Sequence, residues 1–269
     1  MSIPKHRKAI DKLDARIVRL LNERTRHVLA IGGIKLAAGE EIYAPHRERA
    51  VFDRVCKLNP GPITGDQIRA IYREIMSSAL ALEKMMTIAY PGPETAPAHR
   101  AAMQKFGSSL KYAEQKTIAD VFTAVSKNRA NYGVVPVEDS VEGVVTHTLD
   151  MFVDSDLKIV SQINLPANAT RFLVLGRQCG SPTGDDRTSL MVSVADKAGA
   201  VQRSLAAFRR CKINVTEIGS RPGKRKAREN LVFIDCTGHV QDKGVARAIA
   251  QLERESRHVK VLGSYPNTD

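Results

Sequence analysis

Between Lys5 and Ala44 the chain has no proline, and over most of that stretch its apolar residues recur at heptad spacing. Leu21 and Val28 share one seam position with Arg7, Asp14 and Lys35, while Ile10, Ile17 and Ile31 share the other with Arg24. Leu13, Leu20 and Ile34 widen the stripe. Such a period gathers apolar side chains on one face of a helix, whereas in a strand it would scatter them over both faces. The spacing therefore predicts one long helix, weakened toward its far end by Gly32-Gly33. A break is expected at Gly39-Glu40-Glu41, and Pro45 suits the first turn of a second helix running to about Leu58. Asn59-Pro-Gly-Pro62 reads as a turn, and Thr64-Gly-Asp-Gln67 has the capping-box spacing that opens a third helix to about Met86.

Cations on this stripe need an explanation. Arg7, Arg24 and Lys35 sit at seam positions, where a charge is costly unless paired. Snorkelling at a helix end accounts for Arg7, and intrahelical pairing for Lys35. For Arg24, in mid-helix, a salt bridge to a buried acid and an anion-binding role stand equal. Arg24 and Lys35 lie ~17 Å apart along a helix, so two long side chains can converge on one ligand. Arg7 and Arg24 lie ~25 Å apart, so Arg7 reaches the same site only from an antiparallel partner helix. If the three serve one site, the protein is a dimer.

The remaining chain changes period twice. Residues 88–175 alternate short apolar strands, at Ile88-Ala-Tyr90, Tyr132–Val137 and Arg171–Leu175, with helical patterns at Ala98–Phe106, Thr117–Asn128 and Val144–Met151. That alternation indicates α/β architecture. Gln178–Arg187 reads as a linker. Beyond it, strands at Ser189–Val194, Ile213–Gly219, Leu231–Cys236 and Val259–Gly263 and helices at Gly199–Arg210 and Lys243–Glu255 give β-α-β-β-α-β, the ferredoxin-like order.

Charge bears on partners. Of the net +12, the first 86 residues carry +6, residues 87–175 carry −1 and residues 176–269 carry +7. With no Trp, 5% aromatics and no zinc-finger or helix-turn-helix pattern, small anions are favoured over nucleic acid. Gly223-Lys-Arg-Lys-Ala-Arg228 reads as a solvated hairpin tip. There is no apolar run of membrane-spanning length, and the charged N-terminus is unlike a signal peptide. Four cysteines without C-x-x-C spacing do not suggest a disulfide framework, so a reduced cytoplasmic protein is expected.

Arg7-x-x-Ile-x-x-Leu-Asp14, Leu20-Leu-Asn-Glu-Arg24, Ile34-Lys35 and Tyr43-Ala-Pro-His-Arg47-Glu48 resemble the all-helical chorismate mutases over residues 5–86. The resemblance implies an intertwined helical dimer that needs no cofactor or metal. It assigns Arg7 of a partner chain, Arg24, Lys35 and Arg47 to the substrate carboxylates and ether oxygen, and Glu48 to the hydroxyl. Glu83 aligns where many relatives carry a Gln that donates to the ether oxygen, so a carboxyl there must be protonated to help. A mutase favouring acidic pH is expected. The rearrangement of chorismate to prephenate is pericyclic and requires only a held conformer and stabilised negative charge.

Tyr90-Pro-Gly-Pro-Glu94, Asp120-Val-Phe-x-Ala-Val125, Tyr132–Gly143 and Asn168-Ala-Thr-Arg-Phe172 look like prephenate dehydratase. The order mutase, dehydratase, regulatory domain is that of the bifunctional P-proteins of phenylalanine biosynthesis. In that family the dehydratase site lies between two periplasmic-binding-like α/β lobes, and the Thr-Arg-Phe motif supplies a catalytic threonine. By position this is Thr170, with Arg171 beside it for carboxylate charge. Glu138-Asp-Ser140 and Glu142-Gly143 would line the cleft. Here only Ser161–Ala169 separate a strand from that motif, too few residues for the second lobe. With one wall of the cleft gone, dehydration is expected to be impaired and apolar surface to be left uncovered.

Leu190–Leu262 resembles an ACT domain. Asp196-Lys-Ala-Gly199-Ala200 and Gly219-Ser220-Arg221-Pro222 match motifs that bind phenylalanine, an allosteric inhibitor in the family, between paired domains. The reading is a multidomain α and α/β homodimer or larger homo-oligomer. Its parts are a helical mutase (1–87), a truncated dehydratase-like segment (88–177) and an ACT domain (187–266), acting on chorismate and prephenate without nucleic acid or membrane. The alternative is a non-enzymatic, ACT-based amino-acid-sensing oligomer.

Overall fold

A computed structural model describes residues 2–139, 143–165, 170–195, 197–222 and 229–267. The chain divides into two compact units: Met1–Ala44 with Phe52–Met86 and Phe106–Lys111, and Pro45–Val51 with Thr87–Lys105 and Tyr112–Asp269.

The first unit is helical. The proline-free heptad stretch forms one helix, α1 (Ile3–Ala37), with Pro4 in its first turn. It is followed by α2 (Pro45–Lys57), whose first half belongs to the second unit, and α3 (Gly65–Glu83). The Thr64 hydroxyl accepts from the Gln67 N–H and the Gln67 side chain accepts from the Thr64 N–H, so the capping box forms as the spacing required. α3 stops at Glu83, three residues before the expected Met86, because Lys84 turns extended. α1 packs on α3, and its buried residue is Gly32. Leu21 and Val28 are half-buried, and much of the rest of the apolar stripe stays open within a single chain, with Ile17 52%, Ile31 54% and Ile34 71% exposed.

The second unit contains two sheets. The first has strands β1 (Thr87–Pro91), β2 (Lys111–Gln115), β3 (Tyr132–Asp139), β4 (Gly143–Val144), β5 (Lys158–Leu165) and β6 (Thr170–Gly176) in the order β2-β1-β3-β6-β5, with β4 on β3. Helices α4 (Pro97–Phe106), α5 (Ile118–Ser126) and α6 (Thr146–Asp154) connect them. β2 has no counterpart in the sequence reading: its residues, mostly charged or polar, are never fully buried and give no apolar run. The helix expected from Val144 begins instead at Thr146, because Gly143 and Val144 pair with Asp139 and Glu138.

The second sheet comprises β7 (Asp186–Ala195), β8 (Val215–Pro222), β9 (Glu229–Thr237) and β10 (His258–Pro266), with α7 (Ala200–Arg210) after β7 and α8 (Lys243–Glu255) after β9. Its order, β10-β7-β9-β8, is the antiparallel arrangement of a βαββαβ ferredoxin-like fold. One face buries Leu190, Val192, Ile234 and Cys236 with Phe208 of α7 and Leu252 of α8. On the other side Met191, Phe233, Leu262 and Tyr265 join Phe152, Ile159, Leu173 and Leu175 in a single core.

That shared core corrects one expectation. A one-lobed remnant was expected to leave apolar surface uncovered. Among the described residues after Met86, Ile218 is the only large apolar side chain left exposed. The two sheets cover one another, and Gly263 of β10 sits so close to the Ile159 backbone that a Cβ there would overlap its carbonyl oxygen. β5 and β6 pair directly from Lys158↔Gly176 to Leu165↔Thr170, so residues 166–169 are all that links them.

Candidate active site

On α1, Arg24 and Lys35 are eleven residues apart, which leaves them within about 20° around the helix axis. Both act on Glu83 at the C-terminal end of α3. Burial lifts the Glu83 carboxyl above the ordinary carboxylate range, and the charges of Lys35 and then Arg24 oppose that rise. The Lys35 ammonium donates to the carbonyl of Ile42 at 3.1 Å and reaches that of Glu41 at 3.4 Å, which fixes its position without neutralising it. Arg24 Nη1 is buried and has no hydrogen-bond partner. A buried guanidinium nitrogen with spare donor capacity can donate to a carboxylate, and an ammonium and a carboxyl disposed to hold a proton can donate to an ether oxygen.

The other residues singled out in this region are Arg7, Arg47 and Glu48. Arg7 is exposed on α1, ~25 Å from Arg24 along the helix. Arg47 and Glu48 lie on the first turn of α2, Arg47 exposed. Glu48 accepts from the Lys105 ammonium of α4 at 2.6 Å, with both side chains largely buried. Lys105 is a partner the sequence reading did not name, because it lies 57 residues further on.

In the second unit, Thr170 is buried at the start of β6 and Arg171 follows it. The Arg171 guanidinium donates to Glu217 Oε1 at 2.7 Å and to Asp235 Oδ2 at 3.2 Å, and its Nε lies 3.3 Å from Glu138 Oε2. Three carboxylates thus surround one cation. Desolvation first, then the neighbouring Asp235 and Glu138, push Glu217 up to about 6 against the pull of Arg171. A cavity of about 60 Å³ borders the cluster, lined also by Phe152, Phe233 and Leu262. Glu217 and Asp235 come from β8 and β9, outside the motif that drew attention to Arg171.

Of the residues matched to effector-binding motifs, Gly199 caps α7 in the left-handed region at φ 75°, a conformation glycine adopts freely, and Ala200 is buried. Arg221 pairs with Asp150, donates to the Thr146 carbonyl at 3.0 Å and stacks over Phe233. Ser220 and Pro222 are exposed at the end of β8. Asp196, Ser140, Glu142 and the basic segment 223–228 lie outside the described residues. Among the described residues no cluster of His, Cys, Asp and Glu is arranged to hold a metal ion, and no helix is long and apolar enough to cross a membrane.

Residues 6–84 match the family of type II chorismate mutases, and residues 88–169 match prephenate dehydratase. A bifunctional chorismate mutase/prephenate dehydratase of Aquifex aeolicus is 35% identical over 349 aligned positions, covering 97% of this chain and 96% of its own. The chain belongs to the bifunctional chorismate mutase/prephenate dehydratase family. Since it has 269 residues, at least 80 of those aligned positions in the Aquifex member have no counterpart here. Among solved structures, prephenate dehydratase from Streptococcus mutans superposes with a TM-score of 0.59 at 30% identity, over 67% of this chain and 97% of its own. GqqA, described as a novel type of quorum quenching acylase, superposes with a TM-score of 0.63 at 25% identity, over 68% and 95%. Relative to the family, the helical part and the α/β part are both present, and the deficit lies in length.

Proposed function

We propose that the protein is a working chorismate mutase of phenylalanine biosynthesis whose dehydratase activity is impaired. The observation that carries this reading is the buried, unpartnered Arg24 Nη1 on the same helix as Lys35, with both cations acting on a half-buried Glu83. Arg24 binds a substrate carboxylate in a planar fork. Lys35 supplies a point charge toward the ether oxygen, and protonated Glu83 donates to it as negative charge develops on bond breaking. Arg47 and Glu48 contribute to the same substrate, with Arg7 entering from a partner chain. The open apolar stripe of α1 supports the antiparallel dimer that this requires.

Dehydration fails for lack of a second wall. Four residues link β5 and β6 where a lobe would be inserted, and at least 80 family positions are missing. Arg171 is engaged by carboxylates of its own chain, and the ~60 Å³ beside it is far below the ~300 Å³ that a small-molecule site needs. Thr170 then serves to start β6 rather than to protonate a leaving hydroxyl. The βαββαβ segment is an ACT domain that takes phenylalanine through Asp196, Gly199, Ala200, Ser220, Arg221 and Pro222, and the protein works in the cytoplasm.

The test is to supply chorismate to the purified protein and to measure prephenate and phenylpyruvate separately. Prephenate should accumulate at an enzymatic rate that Arg24→Ala lowers by about 10²–10³. Phenylpyruvate formed at the mutase rate would overturn the impaired dehydratase. An inactive parent that binds phenylalanine in calorimetric titration would favour the amino-acid sensor instead.

A further inference from the structure

Gly32-Gly33 stands near the end of a long helix, where two glycines weaken the structure and the proposed chemistry leaves them unused. The two are not equivalent. A Cβ on Gly33 would meet nothing within 4 Å. A Cβ on Gly32 would lie 2.5 Å from Oε2, 3.0 Å from Cγ and 3.1 Å from Cδ of Glu83. Every one of those atoms belongs to one side chain, and that side chain carries the carboxyl on which Lys35 and Arg24 both act. Gly32 is also the buried residue of α1. Along the helix it is ~4.5 Å from Lys35 and ~12 Å from Arg24, on the same face.

We infer that Gly32 is a positioning residue for the mutase reaction: its bare backbone is the notch into which the Glu83 carboxyl lies, aimed between the two cations of α1. The inference rests on the mutase reading for its consequence and on packing alone for its geometry. The three nearest atoms that a methyl group at position 32 would meet all belong to the flexible Glu83 side chain, so turning that side chain away from α1 relieves the overlap without parting the helices. Glu83 then leaves the neighbourhood of Lys35 and Arg24, the charged groups acting on it, both on α1. The fold should tolerate this, since alanine is the better helix former.

The experiment compares the parent with Gly32→Ala and, as a control with the same gain in helix propensity, Gly33→Ala. Gly32→Ala should melt no lower than the parent. Its kcat should fall about tenfold or more with KM within about threefold, since misplacement of a group by about 1 Å acts on the reacting geometry. The alkaline limb of its pH–rate profile should shift, while Gly33→Ala keeps the parent values. In a Glu83→Ala background, adding Gly32→Ala should change nothing further. Carbon-13 carboxyl titration by NMR, with the Glu83 resonance assigned through Glu83→Gln, should show a changed Glu83 midpoint in Gly32→Ala and an unchanged one in Gly33→Ala. Retention of parent kcat, pH profile and Glu83 midpoint in Gly32→Ala would overturn the inference, as would an equal loss in the Glu83→Ala background. Should the parent not convert chorismate, the mutase reading falls, and the NMR titration still decides whether Gly32 sets the position of Glu83.

Discussion

At Glu83, burial favours the protonated acid and the cations of α1 favour the carboxylate, with burial the larger effect. The group is useful to an ether oxygen only while it holds its proton, so the sign of the pH effect follows. Raising the pH through the lifted Glu83 midpoint replaces a donor with a like charge, and mutase activity should fall. Glu83→Gln keeps a donor at every pH. Its profile should lose the alkaline fall, and where Glu83 of the parent is ionised it should exceed the parent by up to about 10²-fold, the order of one positioned donor to developing charge. Steady-state rates between pH 5 and 9 check this, and a variant with the parent profile would remove Glu83 from the chemistry.

Between elements, the contact that matters most is that of the two sheets in the second unit. Gly263 lets β10 lie against β5 at backbone contact, and Lys158 donates to the Val261 carbonyl at 2.8 Å across the same seam. Gly263→Ala should cost about 2–4 kcal/mol, because the clash is with main chain and no side chain can move to relieve it. Urea unfolding measures that loss. The Arg171 cluster bridges the same sheets and should make stability depend on pH. Glu217 is raised to about 6 from an ordinary 4.5, so the native state holds the proton more tightly than the unfolded chain. The resulting stabilisation is complete below pH 4.5 and lost as the pH climbs through about 6. After discounting for a side chain about a third exposed, the loss between pH 5 and 7.5 is about 1 kcal/mol, and Glu217→Gln should abolish it. Denaturant unfolding at the two pH values checks both chains. Here the sequence reached its limit. α1 was legible because one period runs the length of the helix, and the Thr64 cap because its partners are three residues apart. Arg171 was legible as a motif residue, but its partners Glu217 and Asp235 lie 46 and 64 residues further on in another sheet. No local pattern encodes that meeting. β2 escaped for a simpler reason, since a strand of mostly charged or polar residues lacks the apolar alternation by which strands are recognised.

For the whole molecule, one chain does not complete the proposed mutase site. Arg24, Lys35 and Glu83 form one group, and Arg7 is too far along the same rigid helix to join it. The half-exposed Ile10, Ile17 and Ile31 run along the helix between Arg7 and Lys35, so a second α1 laid antiparallel would cover them while bringing its own Arg7 toward Arg24. This arrangement can be tested without a structure of the dimer. Arg7→Ala and Arg24→Ala should each lose about 10²-fold or more in chorismate turnover when assayed alone, because every site lacks one guanidinium. Unfolded together and refolded as a mixture, they should regain activity. A heterodimer has one site lacking both arginines and one site with Arg24 from one chain and Arg7 from the other. With random pairing about half the dimers are mixed, so recovery should approach about a quarter of the parent rate per chain. Gain of activity on mixing requires Arg7 to act across the interface. A mixture no more active than the average of its parts would place Arg7 outside the partner's site, and the antiparallel dimer would lose its catalytic reason.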